Sequence, residues 1–197
     1  MRMFCGYLVS EAEHGPLITL LPPVLTLAVR DGPAGAWLES AIRFVGSERA
    51  ARRAGSDTVV SKLSELLFVE AVRRYIESLP PDQTGWFAGL ADPTVGRALG
   101  VLHGSIAHPW TTEELAGEVG LSRSAFADRF TQLVGEPPMR YLTLWRLRHA
   151  KVRLLESHHP IARIAFDVGY ESEAAFTRAF KREFGAPPAA WRRQASA

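Results

Sequence analysis

The chain has 197 residues, 47% of them apolar and 22% charged, with a formal net charge of +2. These are values of an ordinary globular protein of one or two domains with a sizeable core, not of a disordered or fibrous chain. A single cysteine, Cys5, excludes a disulfide framework, and no apolar run reaches the 18 residues of a membrane helix.

The start of the chain reads as strand. The runs MFCGYLV and PLITLLPPVLTLAV, within residues 1–30, are short, apolar and rich in Leu, Val and Ile. Residues 34–45 then predict a helix, with Trp37, Leu38, Ala41, Ile42 and Val45 on one face. The polar stretch ERAARRAG at 48–55 reads as a loop or helix end. Ser56 or Asp57 starts a strong helix through Val60, Leu63, Leu67, Val72 and Ile76. Its apolar face is wide enough to require burial on more than one side, or use as a dimer face over 61–77. Residues 81–91 are expected to be a linker, headed by the turn-forming cluster Pro80–Gly85.

Asp92, followed by Pro93, predicts a capped helix running to about His103. After the loop His108-Pro109-Trp110, Thr111 or Thr112 caps the short helix ELAGEV, with Glu114 placed for a capping box. Gly120-Leu121 makes a turn, and Ser122–Val134 follows as a helix buried by Phe126, Phe130 and Leu133. A longer helix is expected from about Pro138 to Ser157. Its length of roughly 28 Å is close to one turn of DNA. Then Ile161, Ile164, Ala165 and Val168 mark another short helix, Gly169 its end and Ser172 the cap of the next. Phe176, Phe180 and Phe184 bury that last helix, and Gly185, Pro187 and Pro188 stop it.

These two segments are copies of one pattern. Leu115, Ala116, Val119 and Gly120 recur at an offset of 49 as Ile164, Ala165, Val168 and Gly169. Ser122, Phe126, Phe130, Gly135, Pro138 and Tyr141 recur at an offset of 50 as Ser172, Phe176, Phe180, Gly185, Pro188 and Trp191. The extra residue falls in the turn. A short buried helix, a glycine turn and an amphipathic helix with a polar outer face is the helix-turn-helix pattern, whose second helix enters the major groove. Two copies in one chain can do what a symmetric dimer does with two chains, placing readers roughly 34 Å apart. Charge follows the same division. Residues 136–197 carry 11 Lys/Arg against 6 Asp/Glu, whereas residues 111–135 carry 2 against 4, so the positive surface belongs to the long helix and the second copy.

The segment I-A-x2-V-G-Y-x-S-x3-F-x3-F-K-x2-F-G-x2-P-x2-W-R, at 164–192 with its preceding turn, resembles the signature of the AraC family of bacterial transcription regulators. PPMRYLTLWRLRHAKVRLLE resembles that family's connecting helix, and the likeness covers about 100 residues from Asp92 on. Cys5-Gly6-Tyr7, the Leu20–Pro23 turn and the helix LSELLFVEAVRRYIE are similar to the end of the cupin-type effector domain of one subgroup. The resemblance implies a mainly α chain: two helix-turn-helix units joined by a long connecting helix over 92–197, preceded over 1–80 by a partial cupin-like β segment with helices.

The outward positions of the two reading helices are Arg123, Ser124, Ala127 and Asp128, then Glu173, Ala174, Thr177 and Arg178. They also match the family's base-facing positions. Arg178 suits guanine O6 and N7, Thr177 a thymine methyl, and Asp128 or Glu173 cytosine N4 or simply a helix N-terminal charge. Ser124 and Ala127 are small, so the first helix is expected to discriminate fewer bases. Ser122, Ser172, Arg123, Arg146 and Lys181 are the expected phosphate contacts.

The resemblance implies double-stranded DNA as partner, RNA polymerase as a further one, activation among the outcomes, and a cytoplasmic protein. Independent sensing of a small-molecule effector is not expected, because a barrel with only its last strands would expose sheet edges. No catalytic residue, metal or cofactor is expected. His14, His103, His108, His149, His158 and His159 form no H-x-H or H-x3-H pair, and there is no phosphate loop or nucleophile elbow. Two other classes stay open: a ligand-binding or enzymatic cupin module, and an interaction module that dimerises with a longer regulator.

Overall fold

The computed structural model describes residues 35–80 and 85–195, together with 21, 22 and 25. The strands expected within 1–30 therefore lie outside the described residues, save for those three positions, which are irregular. Among the described residues all regular structure is helical. They fall into two compact units, divided at Pro80/Pro81.

The first unit is a pair of helices, α1 (Gly35–Ala51) and α2 (Ser56–Glu77). Helix α1 ends within the stretch 48–55 read from sequence as a loop or helix end, running on to Ala51. The reason is Glu48, which is buried. Its carboxylate is held by the Arg53 guanidinium and accepts from Ser56 Oγ at 3.0 Å, so a polar-looking segment folds back on itself. Ser56 thus spends its hydroxyl on Glu48 rather than capping α2, whose N-cap, Gly55, has a positive φ of 81°. Leu38, Ala41 and Val72 are buried between the helices. Of the rest of the wide apolar face of α2, Val60, Leu63, Leu67 and Ile76 are half-buried while Val59, Leu66 and Val69 are exposed, as are Trp37 and Phe44 of α1.

Among the described residues the second unit contains eight helices. Helix α3 (Trp86–Ala91) occupies the stretch expected to end a linker. Phe87 and Gly89 are buried, the Gly85 N–H donates to Leu133 O, and Trp86 Nε1 donates to Tyr141 Oη at 2.8 Å. Trp86, Phe87 and Leu90 are apolar anchors that a turn-rich neighbourhood hides from a reading of composition. Helix α4 (Pro93–Gly104) starts as expected, the Asp92 carboxylate accepting from the N–H groups of Thr94 and Val95.

Then come α5 (Thr112–Glu118), α6 (Arg123–Val134) and the long α7 (Pro138–Glu156). They are followed by α8 (Ile161–Asp167), α9 (Glu173–Phe184) and α10 (Pro188–Ala195). Helix α10 was not foreseen. The prolines that end α9 also open it, since proline fits the first turn of a helix. It is the second copy of the start of α7.

The repeat in sequence is a repeat in structure. Helices α5 and α8 have 7 residues each, and α6 and α9 have 12 each. In the turns, Leu121 N–H donates to Ala116 O and Tyr170 N–H to Ala165 O, both at 2.9 Å. Gly120 and Gly169 have φ of 73° and 89°, a left-handed conformation that side chains with a Cβ resist. Phe126, Phe130, Phe176 and Phe180 are fully buried. Each contributes on the order of 2–3 kcal/mol of apolar burial. Helix α7 serves both cores. Tyr141 and Leu142 at its start close the first, while Leu147, Ala150 and Leu154 further along close the second.

Candidate nucleic-acid interface

Each reading helix is aimed by three devices: its phenylalanines, the glycine turn before it and a serine cap. Ser122 Oγ accepts from Ala125 N–H at 3.3 Å, and Ser172 Oγ accepts from Ala175 N–H at 3.2 Å. Both serines are exposed; Ser122 Oγ also lies 3.4 Å from Ser124 Oγ, and each hydroxyl carries one proton to donate. The N–H groups of the first turns point the same way, as in a helix N-terminus that receives phosphate.

The outward faces carry the residues expected there. Arg123, Ser124 and Asp128 are exposed on α6, and Glu173, Ala174 and Arg178 on α9. Ala127 and Thr177, one turn in, are half-buried. On α6, Ala127 borders a shallow depression of about 280 Å³, floored by Pro137, Pro138 and Met139 and edged by Arg123 and Ser124. Lys181 lies exposed one turn beyond Thr177. Among the described residues neither Arg123, Arg178 nor Lys181 is engaged in an ion pair or side-chain hydrogen bond.

Other charges are committed. Arg129 forks onto Asp92, its Nε at 3.2 Å from Oδ1, which fastens α6 to the start of α4. Burial pushes the Asp92 carboxyl up, but Arg129 and two backbone N–H groups outweigh it and hold it below the ordinary value. Asp167 is shared by Arg153 at 2.7 Å and Arg163 at 3.0 Å.

Arg146, expected as a phosphate contact, has its guanidinium bonded to backbone carbonyls. Its Nε donates to Ile106 O at 2.9 Å and its Nη2 to His108 O at 2.7 Å, both in the loop between α4 and α5. The guanidinium is half-buried, which draws its pKa below the usual value, and the side chain faces inward between the two copies. A cation on the basic connecting helix is expected at phosphate, and helical position alone does not tell it from one turned inward. Nothing in its spacing marks the carbonyls 38 and 40 residues upstream.

A group of aromatics backs the first copy. Tyr141 Oη accepts from Trp86 Nε1 and donates to His103 Nε2 at 2.8 Å, an arrangement that satisfies both groups when the imidazole is neutral. His103 also stacks on Trp145, with ring centroids 4.0 Å apart. Burial, with a smaller contribution from His149, lowers the His103 pKa to about 4. Burial raises that of Tyr141 to about 12. In the second copy Trp191 stands where Tyr141 stands in the first. It packs on Phe180 and Phe184 and lies under Lys151 Nζ, 5.0 Å from the ring centroid.

Comparison with known proteins meets this geometry from three directions. Residues 115–194 match a family of helix-turn-helix domains, and residues 1–77 match a cupin family. An AraC-like transcription regulator of Streptomyces lividans is 38% identical over 188 residues, covering 95% of this chain and 62% of the relative. The chain belongs to the AraC family of transcription regulators. The HTH-type transcriptional regulator AlkR of Acinetobacter baylyi is also 38% identical, over 91% of this chain and 58% of its own length. This AraC-family chain thus spans about three fifths of the length of these curated relatives. Among solved structures, the DNA-binding domain of AdpA in complex with a target DNA is 28% identical. It covers 52% of this chain and 92% of that one, with a TM-score of 0.50. Among the described residues no His, Cys, Asp and Glu cluster is placed to hold a metal ion, and no helix is long and apolar enough to cross a membrane.

Proposed function

We propose that this chain is a sequence-specific DNA-binding transcription regulator, with α6 and α9 docking in successive segments of the major groove. The observation that carries the reading is the matched pair of reading helices. They have equal length, serine caps and preceding positive-φ glycines, and each carries an arginine without a partner, Arg123 or Arg178, on its outer face. The AdpA domain is similar over most of its length and is solved on DNA, which supports the same use here.

In this reading Arg178 and Thr177 contact bases, with Glu173 and Ala174 beside them. Arg123, Ser124, Ala127 and Asp128 form the less discriminating first face. Ser122, Ser172 and Lys181 bind phosphate. Sites selected from a random DNA pool should carry two half-elements about 10 base pairs apart. A pool that enriches nothing defeats the proposal. Arg178→Ala should cost about 1–3 kcal/mol at one base position. Equal weakening on every sequence would refute base readout by that side chain.

A second reading concerns assembly. The exposed Leu66 and Val69 of α2, with Val59 just before them, favour a homodimer through 61–77. Sedimentation of the full chain should then show a dimer that Leu66→Asp dissociates; a concentration-independent monomer removes the idea.

A further inference from the structure

The two helix-turn-helix copies meet at one place in which all three partners are unusual. Gly169, the turn glycine of the second copy, has no room for a Cβ. An added methyl would come within 2.8 Å of Arg146 Cζ and Nη2 and 2.9 Å of Ala107 Cα. Its counterpart in the first copy, Gly120, has nothing within 4 Å. Both glycines satisfy the positive φ of the turn, so the turn alone does not account for the packing at Gly169.

Arg146 fills the space between. It comes from the middle of α7 and grips Ile106 O and His108 O on either side of Ala107. No carboxylate among the described residues pairs with it. The next residue of the second turn, Tyr170, is close enough for its hydroxyl to feel the Arg146 charge, and that hydroxyl is buried without a hydrogen-bond partner. A second tie is the exposed pair Arg140–Glu183 at 3.2 Å, from the start of α7 to the end of α9. As a solvent-exposed pair it holds the copies together only weakly.

We infer that Arg146, wedged between the 106–108 loop of the first copy and the Gly169 turn of the second, is the positioning residue that sets the rotation and distance between the two reading helices. It thereby makes the protein discriminate the spacing of half-elements in DNA. The inference rests on the DNA-binding reading for its second half only. Helix α7 alone fixes a distance between its own ends. The second copy docks on it through the single seam of Leu147, Ala150 and Leu154, which sets the face of α7 that is met but restrains rotation about that seam least. A planar fork anchored on two carbonyls, with the next turn's backbone pressed on its flat side, removes that freedom.

The test has two arms on the full chain. In the first, spin labels at Gln132→Cys and Ala189→Cys, in a Cys5→Ser background, report the distance between the copies without DNA. The native chain should give one narrow distribution, and Arg146→Ala should broaden or shift it. Gly169→Ala, which pushes a methyl into the same guanidinium, should do likewise. In the second arm, affinity is measured on the selected site with its half-elements moved by one base pair. This turns one half-element by roughly 34°. The native chain should lose roughly tenfold per base pair and Arg146→Ala only about two- to threefold. If Arg146→Ala no longer melts cooperatively, Arg146→Lys, which keeps the charge and loses the fork, takes its place.

An unchanged distance distribution overturns the inference. So does an equal loss at every spacing, with the salt slope of binding reduced by about one, which is the signature of a phosphate contact. If the native chain enriches no DNA site at all, the DNA-binding reading fails while the label distances still decide the joint.

Discussion

The two helix-turn-helix copies share a backbone and differ in almost every polar fitting. In the first, Thr111 and Glu114 form a complete capping box at the start of α5. In the second, α8 starts behind Pro160 with no side-chain cap. The first closes on Tyr141, which is bonded to both Trp86 and His103; the second closes on Trp191, whose Nε1 is buried without a partner beneath Lys151. Their outer faces are reversed in charge: Arg123 leads and Asp128 trails on α6, whereas Glu173 leads and Arg178 trails on α9. What stays equal is the set that dictates geometry, namely two buried phenylalanines, two left-handed glycines and a serine cap. Apolar burial and backbone conformation therefore define the unit, and the polar residues are free to specialise.

The largest effect that would sharpen this comparison comes from the phenylalanines. Phe130→Ala and Phe180→Ala should each cost about 3–5 kcal/mol, because each empties a fully buried site. If the copies are separate folding units, amide hydrogen exchange should show the loss confined to α4–α6 for the first and to α8–α10 for the second. Equal loss of protection in both copies would mean that α7 fuses them into one cooperative body.

A smaller effect separates the copies by pH. The His103 ring is neutral in the fold with a pKa lowered to about 4, and in the unfolded chain it regains an ordinary value near 6.5. The unfolded state therefore binds the extra proton first. The stability contributed is full above about pH 6.5 and is lost as the pH falls toward 4. It amounts to about 2 kcal/mol after discounting for partial exposure. Thermal melts from pH 7 to 4.5 should show first-copy destabilisation that His103→Gln reduces. An acid response unchanged in that variant would assign it elsewhere. The smallest effect is Thr111→Ala, about 1 kcal/mol from the lost cap. It should fray α5 in exchange measurements, with α8, which has no such cap to lose, unaffected.

Most of the second unit was legible in the sequence because its determinants are local and repeated. The offsets of 49 and 50 place both turns, and Asp92, Thr111, Ser122 and Ser172 act as the caps their spacing announces. What escaped is what depends on distant partners. Residues 86–91 looked like linker because the anchors that fold Trp86 down, Tyr141 and Leu133, lie about fifty residues on. Residues 48–55 left loop and helix end both open because burial of Glu48 needs Arg53 and Ser56 folded back upon it. Arg146 was expected at a phosphate. Side-chain type and helical position together do not tell a solvated arginine from one that ends on backbone carbonyls in another part of the fold. The outer faces of α6 and α9 were legible for the same reason as the cores, since a residue two positions from a buried phenylalanine on a helix must point away from it.

Because Arg123 and Asp128 are answered by Glu173 and Arg178 in the opposite order, the duplicated backbone presents two chemically unequal outer faces. A palindromic reader sits equally well in either direction on its site. If both heads dock as proposed, a chain with two unequal heads has a polarity, like an arrow laid along the duplex. Turning a site end for end beside a fixed start point would present its two heads in reverse order, and so change the neighbour that each one meets.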